Sequence, residues 1–276
     1  MNSNIRVKLI IFLLMIVSAL TYSCRSEKIA SQRPGTPIQI DGNQSEWGQV
    51  LQYNEDDNFS FGVVNDDTCI YVCLVSSDIN LKRQILMSGL IVWFKPKGDD
   101  ENQFGLKYPV GMVGQGRPPE MRRDESPTGD RVIRDERMLA IVNNLPPDVI
   151  ILDAKGNEVD RQTISTLEGI DVCVGDNAGV IVYELKIPYG MDAKAQYAIF
   201  TPSASTIELG FETPKFERPR RGDRPEMDRD GMRGGGMPGG MGRGDRGPGG
   251  PGGPGGRRSM QMPEPLKKWV TVQLSK

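Results

Sequence analysis

The 276-residue chain contains no histidine, and this absence narrows its chemistry more than any residue it does contain. Ser-His-Asp and Cys-His nucleophile systems, histidine-held zinc or haem iron, and the usual general base near neutral pH are excluded. Carboxylates, Lys, Tyr and Cys remain. A hydrolase would need two carboxylates facing each other, as in glycosidases, and the sequence marks no such pair. The expectation is therefore a protein with no catalytic activity of its own. The Asn65-Asp66-Asp67 run has two readings: turn-forming residues, or oxygen donors for Ca²⁺, a hard ion that needs many of them. A turn requires no ion, so no cofactor is assigned.

Four cysteines are present, Cys24, Cys69, Cys73 and Cys173. No CxxC spacing occurs, so neither a metal knuckle nor a thioredoxin-type motif is supported. Cys69 and Cys73 fall on one expected strand, about 13 Å apart, too far to bridge. Either one pairs with Cys173 in an oxidising compartment, or all three are buried thiols acting as small apolar residues. The net charge of −2 provides no overall field to recruit nucleic acid, and none is expected as a partner.

The elements that would position such residues are mostly strands. Phe59 to Val64 and Cys69 to Val75 read as a hairpin closed by the Asn65–Thr68 turn. Leu90-Ile91-Val92-Trp93-Phe94 is continuously apolar, as a strand covered on both faces should be. Ile181, Tyr183, Leu185 and Ile187 alternate with Val182, Glu184 and Lys186 until Pro188 ends the run. Shorter strands are expected at Met138 to Asn143, Val149 to Asp153, Val159 to Ser165, Ile170 to Val174, Tyr197 to Thr201 and Thr206 to Phe211. Helical periodicity is nearly absent. Many short strands separated by Gly, Pro, Asn and Asp predict an all-β fold, an antiparallel β-sandwich of jelly-roll type.

Two segments do not read as packed core. Residues 114–134 are charged and proline-bearing, and read as a flexible surface loop. Residues 215–262 are Gly-, Pro- and Arg-rich, with too little apolar surface to offset ordering entropy, and read as a disordered insertion. Trp269 to Leu274 follow, with Val270, Val272 and Leu274 on one face, as the last strand of the same domain. The excess of Arg in the insertion leaves two readings, a passive spacer or a contact with anionic lipid headgroups, lipopolysaccharide or nucleic acid by counterion release.

At the other end, Arg6 and Lys8 precede an apolar run from Leu9 to Leu20, then Thr21-Tyr22-Ser23 and Cys24. A cationic start and a short apolar core make a secretory signal, too short to span a bilayer. With Cys24 at the break it resembles the lipobox of bacterial lipoproteins, although Leu20 lies four residues before the cysteine where such boxes usually carry Leu at three. An ordinary cleaved signal with a chance cysteine is the other reading. The resemblance implies a signal peptide at 1–23, acylation of Cys24, a polar tether at 24–36 and a domain at 37–276. It places the protein in a bacterial envelope, lipid-anchored to the outer membrane and facing the periplasm.

The domain carries a second resemblance. Ile38-Gln39-Ile40-Asp41-Gly42, followed by Glu46-Trp47, resembles the opening of carbohydrate-binding module family 9 and the related DOMON-like sandwiches. Phe59 to Val72, Trp93 to Gly98 with Phe104 to Pro109, and Tyr183 to Pro188 match further blocks in the same order. The resemblance implies glycan binding through aromatic faces, with Trp93, Phe104 and Tyr108 as candidate carbohydrate-binding residues. Each of the three, and Trp47 as well, also reads as core. The implied partners are the membrane, through the lipid, and either a glycan or another envelope protein. The aromatic clamp of sugar-binding members has no position-by-position match, so an interaction or assembly module without sugar binding is the alternative.

Overall fold

A computed structural model describes residues 27–98, 103–111, 138–202, 205–215 and 264–276. The expected signal peptide, Cys24, the loop at 114–134 and all but Lys215 of the insertion expected at 215–262 lie outside them. The chain divides into two units, 1–216 with 265–276, and 217–264; the described fold belongs to the first.

Among the described residues twelve strands form two packed sheets, a β-sandwich. They are β1 (Glu27–Ala30), β2 (Gln52–Asn54), β3 (Phe59–Asn65), β4 (Cys69–Ser76), β5 (Leu90–Pro96), β6 (Phe104–Tyr108), β7 (Asp148–Leu152), β8 (Glu158–Thr163), β9 (Asp171–Asn177), β10 (Val180–Pro188), β11 (Thr206–Glu212) and β12 (Lys267–Gln273). One sheet runs β1-β12-β11-β5-β6-β7-β8 and the other β2-β3-β4-β10-β9. All pairings are antiparallel except β1 with β12, which is parallel. The expected hairpin is present, with Asn65 opposite Ile70 and Ser60 opposite Val75. β12 does return to the sandwich, Val270 opposite Leu209.

Alternation along the strands builds the core. Leu90, Val92 and Phe94 of β5 face inward against Ile181, Tyr183, Leu185 and Ile187 of β10, with Phe59, Phe61 and Phe211 meeting in mutual edge and tilted ring contacts. The aromatic trio and its aliphatic neighbours are nearly fully buried, and their transfer from water is the main favourable term.

Four expectations are corrected. Residues 27–31 of the tether expected at 24–36 are not free, because Glu27–Ala30 forms β1 and Ser31 N–H donates to Gln273 O at 2.9 Å. A helix α1 (Ile79–Ser88) links the two sheets. Its start is fixed by Asp78, whose carboxylate accepts from the N–H groups of Asn80 and Leu81, a standard N-cap. Leu81, Ile85 and Leu86 then plug one end of the core. Residues 138–142 are helical, not a strand, burying Ile141 and Val142 ahead of Pro146-Pro147. Residues 197–201 make only a single bridge, Ile199 with Tyr189.

Buried polar groups accompany this core, Lys82 and the Tyr183 hydroxyl among them. Lys82 of α1 reaches Asp176 at 2.9 Å and donates to Gly179 O at 2.7 Å, both side chains being nearly inaccessible. Tyr183, in the centre, has a hydroxyl with no hydrogen-bond partner among the described residues, and burial holds that phenol well above its ordinary range. Lys82→Met should cost about 3 kcal/mol by stranding Asp176, with partial recovery in Lys82→Met/Asp176→Asn. Tyr183→Phe should be neutral or stabilising by up to about 2 kcal/mol, since it removes an unpaired polar group. Urea unfolding curves read both.

Candidate functional site

Residues 38–51 lie over the outer face of the five-stranded sheet. Asp41 Oδ1 accepts from Asn43 N–H at 2.8 Å and Asn43 Oδ1 from Ser45 N–H at 3.1 Å, two Asx turns in series. Gly42 takes φ of 80°, which suits only a residue without Cβ. The folded segment sets Ile38, Ile40, Trp47, Val50 and Leu51 against Val64, Tyr71, Cys73, Val75 and Val182.

Glu184 closes it down. This fully buried carboxylate accepts from Trp47 Nε1–H at 2.6 Å, Gly42 N–H at 2.6 Å and Asp41 N–H at 3.0 Å. Burial raises its pKa above the usual carboxylate range, while these three donors pull it down. Trp47 is accordingly a core plug with its indole nitrogen satisfied. Gly42 also touches Gly175 backbone to backbone, where a Cβ on Gly175 would stand 2.2 Å from Gly42 O. Cys73 and Cys173 flank Glu184 on the neighbouring strands. They are two strands apart, about 9.5 Å, beyond disulfide reach, and all three described cysteines are free thiols.

The carbohydrate candidates do not converge. Phe104 and Tyr108 project into the core, Phe104 against Phe94 at 5.6 Å between ring centroids. Trp93 projects from the opposite face of the same sheet, with Ile91, Ile150, Leu152 and Trp269. It lies over Gly105, donates to Glu212 Oε2 at 3.1 Å and is only 6% exposed. Among the described residues the exposed aromatics are Tyr53, at 62%, and Phe200, at 42%.

A groove of about 600 Å³ lies at one end of the sandwich, between the β3–β4 turn and residues 188–194. The turn is held by Asp66, whose carboxylate accepts from the N–H groups of Thr68 and Cys69 and from the hydroxyls of Thr68 and Tyr71. Burial works to raise its pKa, but these donors outweigh it and the net shift is down. Those oxygens are thus engaged within the hairpin. The opposite wall is fastened by Tyr189, whose N–H donates to Thr68 O at 2.8 Å and whose hydroxyl donates to Asp66 O at 2.7 Å. Asp67, Thr68, Asp192 and Lys194 supply polar groups and Pro188, Met191 and Pro202 apolar ones. Asp67 is 80% exposed and ion-paired with Arg33. Sequence reasoning stopped at Pro188 as a strand terminator. The signal it passed over was the Tyr-Gly-Met-Asp run that follows.

No family model and no curated protein matches this chain.

Glu184→Gln keeps one acceptor oxygen of two and should cost about 1–3 kcal/mol. A carboxyl whose folded pKa is raised stabilises fully below the unfolded value, about 4.3, and loses that contribution as pH rises through the folded value. The destabilisation caused by Glu184→Gln should therefore shrink between pH 4 and pH 7. Denaturation midpoints of both proteins across that interval check it, and a cost that grows with pH would contradict it.

Proposed function

We propose that this chain is a non-catalytic lipoprotein of a bacterial cell envelope, anchored through Cys24 at the outer membrane and facing the periplasm. Its sandwich, similar to carbohydrate-binding module family 9, holds carbohydrate in the end groove. The observation that carries this reading is the groove itself. It combines a few polar anchors with apolar walls, the usual composition of a small-molecule site, at a size that accommodates a short oligosaccharide. The residues behind the family resemblance also act together, since Asp41, Gly42 and Trp47 all bond to Glu184. Catalysis is not part of the proposal. A glycosidase general acid needs an apolar setting, whereas Asp67 is exposed and bonded to Arg33.

The second reading is an interaction or assembly module that contacts another envelope protein. What favours it is that Trp93 and Tyr108 are buried and Phe104 is half-buried against the core, so that these three form no exposed platform.

A soluble form lacking residues 1–23 and carrying Cys24→Ser should be retained by at least one glycan class on an array. Asp192→Ala or Lys194→Ala should then weaken binding by about tenfold, the equivalent of one polar anchor. No retention across plant, host and cell-wall glycans, together with specific pulldown of an envelope protein, would favour the second reading. For the anchor, Cys24→Ser in the full chain should abolish incorporation of labelled fatty acid and release the protein from membranes.

A further inference from the structure

We infer that the end of the sandwich at which β12 starts, toward which the chain before β1 runs, rests against the membrane surface, so that the groove opens away from it. The inference rests on the proposed acylation of Cys24 and adds an orientation to it.

The argument begins with how little chain separates the anchor from the sheet. β1 starts at Glu27, three residues after Cys24, and three residues span at most about 10 Å. Glu27 is fixed opposite Val270 in a parallel ladder, and its carboxylate meets Lys268 Nζ at 3.1 Å. Three register steps back from Val270 lies Lys267, the first residue of β12. An acyl chain on Cys24 therefore holds that edge of the sheet about 10 Å or less from the headgroups. A free tether of thirteen residues would have left the domain able to tumble; β1 removes that freedom.

The ladder also says what shares this end. Lys267 is opposite Glu212, the last residue of β11, and Glu212 is opposite Ile91 near the start of β5. Leu90 is opposite Tyr108, the last residue of β6. Lys215 and Lys267, both exposed, belong to this end. The groove belongs to the other. Asn65 there binds Ser275 and Tyr189, past the far ends of β3, β12 and β10. Nine-residue β10 sets the two ends roughly 30 Å apart, several Debye lengths from the headgroup charge at physiological ionic strength.

The test uses the acylated full chain in phosphatidylethanolamine/phosphatidylglycerol vesicles, with the Cys24→Ser chain in solution as reference. Lysine acetylation by a membrane-impermeant reagent is read residue by residue. Lys215 and Lys267 should react several-fold more slowly on vesicles, and Lys194 at an unchanged rate. Inserting about 20 Gly/Ser residues between Cys24 and Glu27, a reach of about 25 Å, should restore the Lys267 rate. Slowing of Lys194 rather than Lys267, or uniform rates in an acylated and vesicle-bound chain, would overturn the orientation alone. An intact mass without the acyl group and no vesicle binding would overturn the anchor, and the orientation with it.

Discussion

The buried carboxylate of Glu184 is the constraint on which the rest of this structure depends. A carboxylate fully removed from water is costly unless its oxygens are occupied, and here an indole N–H and two backbone N–H groups occupy them. The same bonds hold residues 38–51 over the five-stranded sheet. Without that cover Val64, Cys73 and Val182, now nearly inaccessible, would face solvent. The close contact of Gly42 with Gly175 leaves the segment one seating. One side chain on β10 thus gives the smaller sheet two buried faces.

The other organising device is the joining of the chain's first and last strands. Asn65 accepts from the Ser275 N–H and hydroxyl and from the Ser31 hydroxyl, and donates to Tyr189 and to Ser275 O. It thereby ties β1, β3, the chain beyond β12 and the groove loop together. At the opposite end Thr213 and Leu266 exchange hydrogen bonds at 2.8 and 3.0 Å. That clamp closes β11 against β12 at the base of the long Gly/Pro/Arg-rich stretch between them. A loop's closure cost grows only logarithmically with its length, so the strands keep their register whatever the intervening length.

Strands with strong alternation or unbroken apolar character were legible in the sequence: β3, β4, β5, β10 and β12 fall where period and turn chemistry place them. Elements decided by tertiary contact were not. β1 is four residues with one buried side chain, and only its partner β12 makes it a strand. Helix α1 carried a readable N-cap in Asp78 and apolar residues at Leu81 and Ile85, but Lys82 on its buried face blurred the stripe. Residues 138–142 looked β-like because Ile141 and Val142 are branched, yet they cap the core as a helical turn. At the site level, the core reading of Trp47 is the one its buried indole fits. For Trp93, Phe104 and Tyr108, each of which also read as core, a sheet's alternation and not aromatic character decides which face a ring occupies. Glu184 stood in the sequence only as one member of an alternating strand, and nothing local revealed that a distant segment covers it.

These features give the proposal its shape: a rigid sandwich held at one end by a lipid, with its ligand groove walled by a hairpin turn and a loop that are bonded to each other. The most direct measurement is backbone NMR of the soluble domain titrated with the glycan that binds best. Shifts concentrated at Asp67, Thr68, Asp192 and Lys194, with Trp93 and Trp269 unmoved, are the predicted result. Shifts centred on Trp93 and Trp269, or none at saturating glycan, would contradict it.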